Sequence, residues 1–222
     1  MLYDDPELPA ILRSAKLGLI QPPPILEEFR RWTEAELGVG VLYIRFERLE
    51  FGPTIGRPRL RIVLETEEDY KSWHWPDTFI RPDIHQRVYS HFKSLAGAHP
   101  SEYDTKGLFL VVNCFMNDCR CLVCSEFLKN DSRSVITAFA DVPIWRIDGL
   151  GPWLAVFLNT KADIAINEEN GTCAEITARC LAEAKKYDEF GYFSEANFRL
   201  IFDSKENVDK NFNGHPSNWW RG

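Results

Sequence analysis

The sequence predicts an α+β protein: a mixed, largely antiparallel sheet with helices packed on it, plus an N-terminal helical layer. Three observations carry this expectation. Short runs rich in β-branched and other apolar residues recur, at LYIRF, LRIVL and WLAVFL. Between them lie segments whose apolar residues repeat every three and four positions, bounded by proline and glycine. The most apolar stretch, Gly107 to Leu128, reads as a central hairpin with Asn117-Asp118 at its turn.

In chain order, Asp5-Pro6 opens a helix that Gly18 stops, with Leu8, Ile11, Leu12 and Ala15 on one face. Pro22-Pro23-Pro24 is a stiff connector. A second helix runs from Pro24 to Leu37, its apolar stripe Ile25, Phe29 and Trp32, and ends at Gly38. Strands follow at Val39–Phe51, with a bulge expected after Arg48, and at Arg59–Glu65. In the second of these Leu60, Ile62 and Leu64 point inward, and Arg59 and Arg61 face water with Arg45 and Glu47. A polar, aromatic loop leads to a helix at Ile84–Leu95 capped by Asp83. After the hairpin come a broken strand at Ser134–Ala140 and Ile144–Ile147, and another at Trp153–Asn159. The next helix starts on the capping box Thr172-Cys173-Ala174-Glu175 and has Ile176, Cys180, Leu181 and Ala184 inward. Phe198–Phe202 is the last strand, Asp203 or Ser204 caps a short helix, and the aromatic tail carries Trp219 and Trp220.

Residues 1–38 read as a helical segment packed on a main domain at 39–222, since so short a segment has too little core to stand alone. Within that domain LRIVLETEED at 60–69 resembles LAVFLNTKAD at 154–163: both place a threonine just after the strand and an aspartate three residues on. Two duplicated ββαβ halves, 39–128 and 133–222, would explain this; chance likeness of apolar strands is the other reading.

The chain carries a net charge of −7, and no segment is strongly basic. This argues against a nucleic-acid partner bound through phosphate neutralisation. No apolar run approaches the roughly 18–20 residues of a membrane span, and the N-terminus lacks a basic leader. The expected location is cytoplasmic, where six cysteines in 222 residues are thiols.

Candidates for chemistry are few. Cys114, Cys119, Cys121 and Cys124 lack the paired knuckles of a zinc site, and on a hairpin they divide between two faces. They read as small buried hydrophobes, with no metal, although Cys114 and Cys121 would face each other. The stretch Trp73-His74-Trp75-Pro76-Asp77, with Arg81, Asp83 and His85, is costly to expose and reads as a binding region. Trp219 and Trp220 are the second binding candidate. Nucleotide, nucleophile-elbow and zinc-protease motifs are absent, so no cofactor is assigned. The expected function is that of a non-catalytic, acidic protein-binding or inhibitory protein, acting on a protein partner or through self-association. The alternative is a metal-independent hydrolase or transferase with its site near His74, Asp83 and His85.

Overall fold

The computed structural model describes residues 7–49, 55–75 and 79–221. It is an α+β fold with two three-stranded mixed sheets and helices packed around them. The chain divides into two compact units, residues 1–117 and 118–222.

In the first unit, α1 (Leu8–Lys16) buries Leu8 and Leu12, which lie one turn apart on the expected face. Pro24 opens α2 (Pro24–Leu37), and Gly38 closes it at φ 66°, donating to Glu34 O at 3.1 Å. That left-handed angle is the reason a glycine stands there. The buried line of α2 is Leu26, Phe29 and Thr33, flanked by the partly buried Ile25 and Trp32. Then come β1 (Val41–Arg48), β2 (Pro58–Leu64), α3 (Glu67–Trp73), α4 (Pro82–Ala96) and β3 (Phe109–Cys114). The strand order is β1-β2-β3, with β1 antiparallel and β3 parallel to β2. One face of this sheet carries Ile44, Leu60, Ile62, Leu64 and Val112 into a core shared with Phe29 of α2 and Val88 and Phe92 of α4. Phe29 meets Phe92 edge-on at 5.2 Å.

In the second unit, α5 (Phe115–Asn130, its first residues closing the first unit) is followed by α6 (Ser132–Ala138), β4 (Ile144–Leu150) and β5 (Trp153–Leu158). Next come α7 (Lys161–Glu169), α8 (Thr172–Ala184), β6 (Leu200–Ser204), α9 (Lys205–Asn211) and α10 (Pro216–Trp219). The strand order is β4-β5-β6, again one antiparallel and one parallel pairing. Leu154, Val156 and Leu158 pack with Val123, Cys124 and Phe127 of α5 and Ile176, Cys180, Leu181 and Ala184 of α8. All four of those α8 residues lie where the three-and-four spacing puts them.

The two sheets match closely in register. The outer strand shifts register at its second residue in both, between Val41 and Tyr43 and between Ile144 and Arg146. Leu60 lies between Phe46 and Leu110, and Leu154 between Gly149 and Leu200. Thr66 caps α3 by accepting from Asp69 N, and Thr160 caps α7 by accepting from Asp163 N, both at 3.1 Å. The backbone also repeats: Glu65 O accepts from Met116 N, and Asn159 O accepts from Glu206 N. The shared topology is a fact of the two sheets and does not by itself establish a duplicated sequence.

Several expectations are corrected. The central hairpin does not form, because only Phe109–Cys114 is strand and helix α5 follows at once. Val123, Cys124 and Phe127 bury at helical spacing, and that periodicity outweighs the turn chemistry of Asn117-Asp118. Consequently β3 is an edge strand and β2, buried throughout, is the central one. Residues 134–138 are helical, not strand. The capping box sits at Thr160 and Asp163; α8 starts instead from Gly171 at φ 84° with no side-chain cap. Asp83 is not the cap of α4 but lies in its first turn, after Arg81 and Pro82. The bulge of β1 lies at its start; residues 50–54, just beyond its end, lie outside the described residues.

The second face of the first sheet differs from expectation as well. Arg59 and Arg61 are buried, at 7% and 3% exposure, not wet. They converge with Arg45 on Glu47: Arg59 Nε donates to Oε1 at 2.6 Å, Arg61 Nε to the same oxygen at 3.2 Å, and Arg45 Nε lies 3.2 Å from Oε2. Arg61 also donates to Asn113 Oδ1 at 3.0 Å. On the equivalent face of the second sheet stand Ala155 and Phe157, covered by Val208, Phe212, Trp219 and Trp220.

Candidate functional site

The aromatic loop of the first unit is built on a strand-like base. Trp73, the last residue of α3, is 1% exposed and anchors in the core; its indole N–H is buried without a hydrogen-bond partner. His74 pairs with Ile80 as an isolated antiparallel bridge. Trp75 N–H donates to Phe79 O at 3.0 Å, and Arg81 N–H returns to Trp73 O at 2.9 Å. These three links pin both ends of the excursion. At its open end Trp75 is 50% and Phe79 71% exposed. Pro76 and Asp77, part of the sequence motif, lie outside the described residues.

The polar members of this region are held by local partners. The His74 ring stacks on Tyr70 at 3.9 Å between centroids, and its Nδ1 lies 2.8 Å from Tyr70 O. A carbonyl only accepts, so that nitrogen carries the proton. Arg81 grips Asp83 with two hydrogen bonds, Nε to Oδ1 at 3.3 Å and Nη2 to Oδ2 at 3.0 Å. Desolvation pushes the Asp83 carboxyl up, but the Arg81 hydrogen bond and charge together outweigh it and hold the group below its usual range. His85 is exposed on α4, its ring 6.2 Å from that of Tyr89.

Trp219 and Trp220 belong to the second unit. Trp219 meets Phe157 edge-on at 5.2 Å, and its indole N–H donates to Asp203 Oδ2. Trp220 meets Trp219 edge-on at 4.8 Å. The candidate residues therefore fall into two sets, one in each unit, and only Trp75 among the first set presents a large apolar surface to solvent.

Two clefts accompany them. In the first unit a cleft of about 540 Å³ runs between α2 and the start of β1. Its charged wall is internally neutralised: Arg30 bonds Glu27 and Glu34, each at 2.8 Å. The Arg30 hydrogen bond, with Arg31 adding to it against the effect of burial, lowers the Glu27 carboxyl to about 2. In the second unit a cleft of about 380 Å³ lies between β4 and α10. Neither cleft is lined by His74, Asp83 or His85.

The cysteines occupy β3, α5 and α8 and form no disulfide. Burial pushes the Cys124 thiol up to about 12, and does the same at Cys180, which keeps both protonated and unreactive at neutral pH. Among the described residues no group of three or more His, Cys, Asp or Glu side chains is placed to hold a metal, and no helix is long and apolar enough to cross a membrane.

The sequence reading missed Phe79, although it lies in the same aromatic stretch as Trp75. It also missed Arg146, His215 and Arg221, which line the second cleft. His215 and Arg221 flank the tryptophans of the tail, but only the fold brings β4 to them. No known protein family, curated protein or solved structure matches this chain.

Proposed function

We propose that this is a non-catalytic binding protein that engages a protein partner through the α3–α4 loop, with Trp75 and Phe79 as its anchors. The observation that carries the reading is the exposure of these two rings on a loop whose base is hydrogen-bonded on both sides. Backbone bonds at Trp75 and Phe79 reduce the freedom these two residues lose on binding, and large aromatic side chains contribute most of the energy of many interfaces. Exposed aromatic rings at adjoining positions cost free energy unless something covers them. The net charge of −7 favours a partner with a basic surface, including one that the protein would inhibit. Six thiols suit a reducing, cytosolic setting.

The test is affinity capture from native cytosol with the full chain and with the Trp75→Ala/Phe79→Ala variant, alongside sedimentation of both. Loss of a hot-spot aromatic costs about 2 kcal/mol or more, so the variant is expected to lose its partner, or its self-association, by roughly thirtyfold with an unchanged circular dichroism spectrum. Equal recovery and equal assembly of the two proteins would overturn the assignment.

A further inference from the structure

The cleft between β4 and α10 has a chemistry unlike that of the chain as a whole. Arg146, His215 and Arg221 line it, with Asp148 as the carboxylate among its lining residues, in a protein of net charge −7. Asp148 is already engaged twice: Oδ2 lies 3.0 Å from Arg146 Nε, and Oδ1 accepts from Gly149 N–H at 2.8 Å. Arg146 nevertheless keeps half of its side chain in solvent, and His215 and Arg221 are exposed. Cationic groups thus outnumber the carboxylate around one concave space.

The apolar part of the lining is Trp220, the half-exposed Leu150 and Pro216. The two adjacent tryptophans are held differently. Trp219 is tied by its hydrogen bond to Asp203 and by Phe157. The Trp220 indole N–H is buried with no acceptor, so packing alone sets the position of its ring.

We propose that this cleft binds a small aromatic anion: a planar ring carrying a phosphate or a carboxylate. The ring lies against Trp220 and Leu150, and the anionic head lies between Arg146 and Arg221. Guanidinium groups suit such heads because their planar fork donates two parallel hydrogen bonds to one oxyanion. Offset or edge contact between the ligand ring and the indole adds a preference for aromatic over aliphatic bodies. The site is independent of the α3–α4 loop, and neither reading depends on the other.

The test uses the full chain and reads its indole N–H resonances in proton–nitrogen correlation spectra, with Trp220 assigned from Trp220→Phe. Phenyl phosphate and benzoate are the probes; inorganic phosphate and benzyl alcohol are the references. The expected result is a saturable shift of the Trp220 resonance with a Kd at least tenfold tighter for one of the probes than for either reference. The tighter of phenyl phosphate and benzoate identifies the head group. Arg146→Gln/Arg221→Gln is expected to weaken that probe at least tenfold while the other indole resonances stay in place. If that variant does not fold, Arg221→Gln alone is expected to weaken it at least threefold. Absence of a saturable shift, equal affinity for inorganic phosphate, or unchanged affinity in the folded arginine variants would overturn the proposal.

Discussion

The two units share a strand order and a register and differ in what their sheets bury on the second face. In the first, Arg59 and Arg61 of the central strand close on Glu47. In the second, the register-equivalent positions hold the exposed Trp153 and the buried Ala155, and Phe157, two residues on along the same face, is sealed by Trp219 and Val208. One backbone plan thus supports a charged layer and an aromatic layer. The energetics differ accordingly. Apolar burial gains free energy in proportion to area, whereas a buried ion cluster roughly offsets its own desolvation and penalises the loss of any one member. The lesson is that register-matched positions set where a residue points and leave its chemistry open.

The largest effects should come from breaking each layer at its centre. Glu47→Gln keeps the shape of the side chain but removes the charge that Arg45, Arg59 and Arg61 share, and is expected to cost about 3–5 kcal/mol in urea unfolding. Phe157→Ala leaves a cavity under Trp219 and is expected to cost a similar amount, about 3–5 kcal/mol, with the loss of Trp219 near-UV signal that Glu47→Gln leaves intact. A Glu47→Gln protein as stable as the parent would show that the arginines do not depend on that carboxylate.

A smaller effect should separate the caps that the units share. Thr66→Ala and Thr160→Ala each remove an acceptor for one helix amide and are expected to cost about 1 kcal/mol. The aspartates diverge. Asp163 returns a bond to Thr160 N at 2.9 Å, completing a box, while Asp69 takes the Gly40 amide at the entrance to β1 at 3.2 Å. Asp69→Ala should therefore speed hydrogen exchange at Gly40 but not at Val41, whose amide donates to Glu34 Oε1, and Asp163→Ala should do so only around the start of α7.

The smallest effect is confined to the first unit. The His91 ring stacks on Trp32 at 3.8 Å, and burial lowers its pKa below the ordinary 6.5 against the opposing pull of Glu28 and Glu36. A base with a lowered folded pKa binds its proton better in the unfolded chain. The native state therefore keeps its full stability above about 6.5, where neither state is protonated. It loses stability as pH falls from there through the lower folded value. His91→Phe should flatten the stability profile in that window and leave it unchanged near pH 8. A profile identical to that of the parent would show that the stack does not disfavour the charged ring.

Much of this architecture is legible in the sequence, and the illegible parts have identifiable causes. Pro24 and Gly38 bracket α2 because one fits a first helical turn and the other a left-handed angle. The face of α8 follows from Ile176, Cys180, Leu181 and Ala184 alone. Helix α5 is hidden because CRCLVC alternates at period two as readily as it repeats at three and four. Only the burial of Val123, Cys124 and Phe127 decides between them. Helices α3 and α7 are short, and their signal is the threonine followed three residues later by aspartate. The likeness of the two stretches drew attention to that pair, yet its local meaning is a cap. Buried Arg59 and Arg61 are invisible to hydropathy, since a charged residue on alternate positions reads as solvated until its partners are placed. At the candidate site Trp75 is legible as an aromatic in a polar loop, whereas the split between the buried Trp73 and the exposed Trp75 depends on where α3 ends.

The comparison extends to recognition, because each unit exposes a tryptophan: Trp75 at the α3–α4 loop and Trp153, 58% exposed, at the β4–β5 turn. Hydroxyl-radical footprinting of the captured complex distinguishes them in one measurement. Protection of Trp75 and Phe79 from oxidation, with Trp153 labelled as in the isolated protein, is the predicted result. Full labelling of Trp75 and Phe79 in the complex, with Trp153 protected instead, would contradict it.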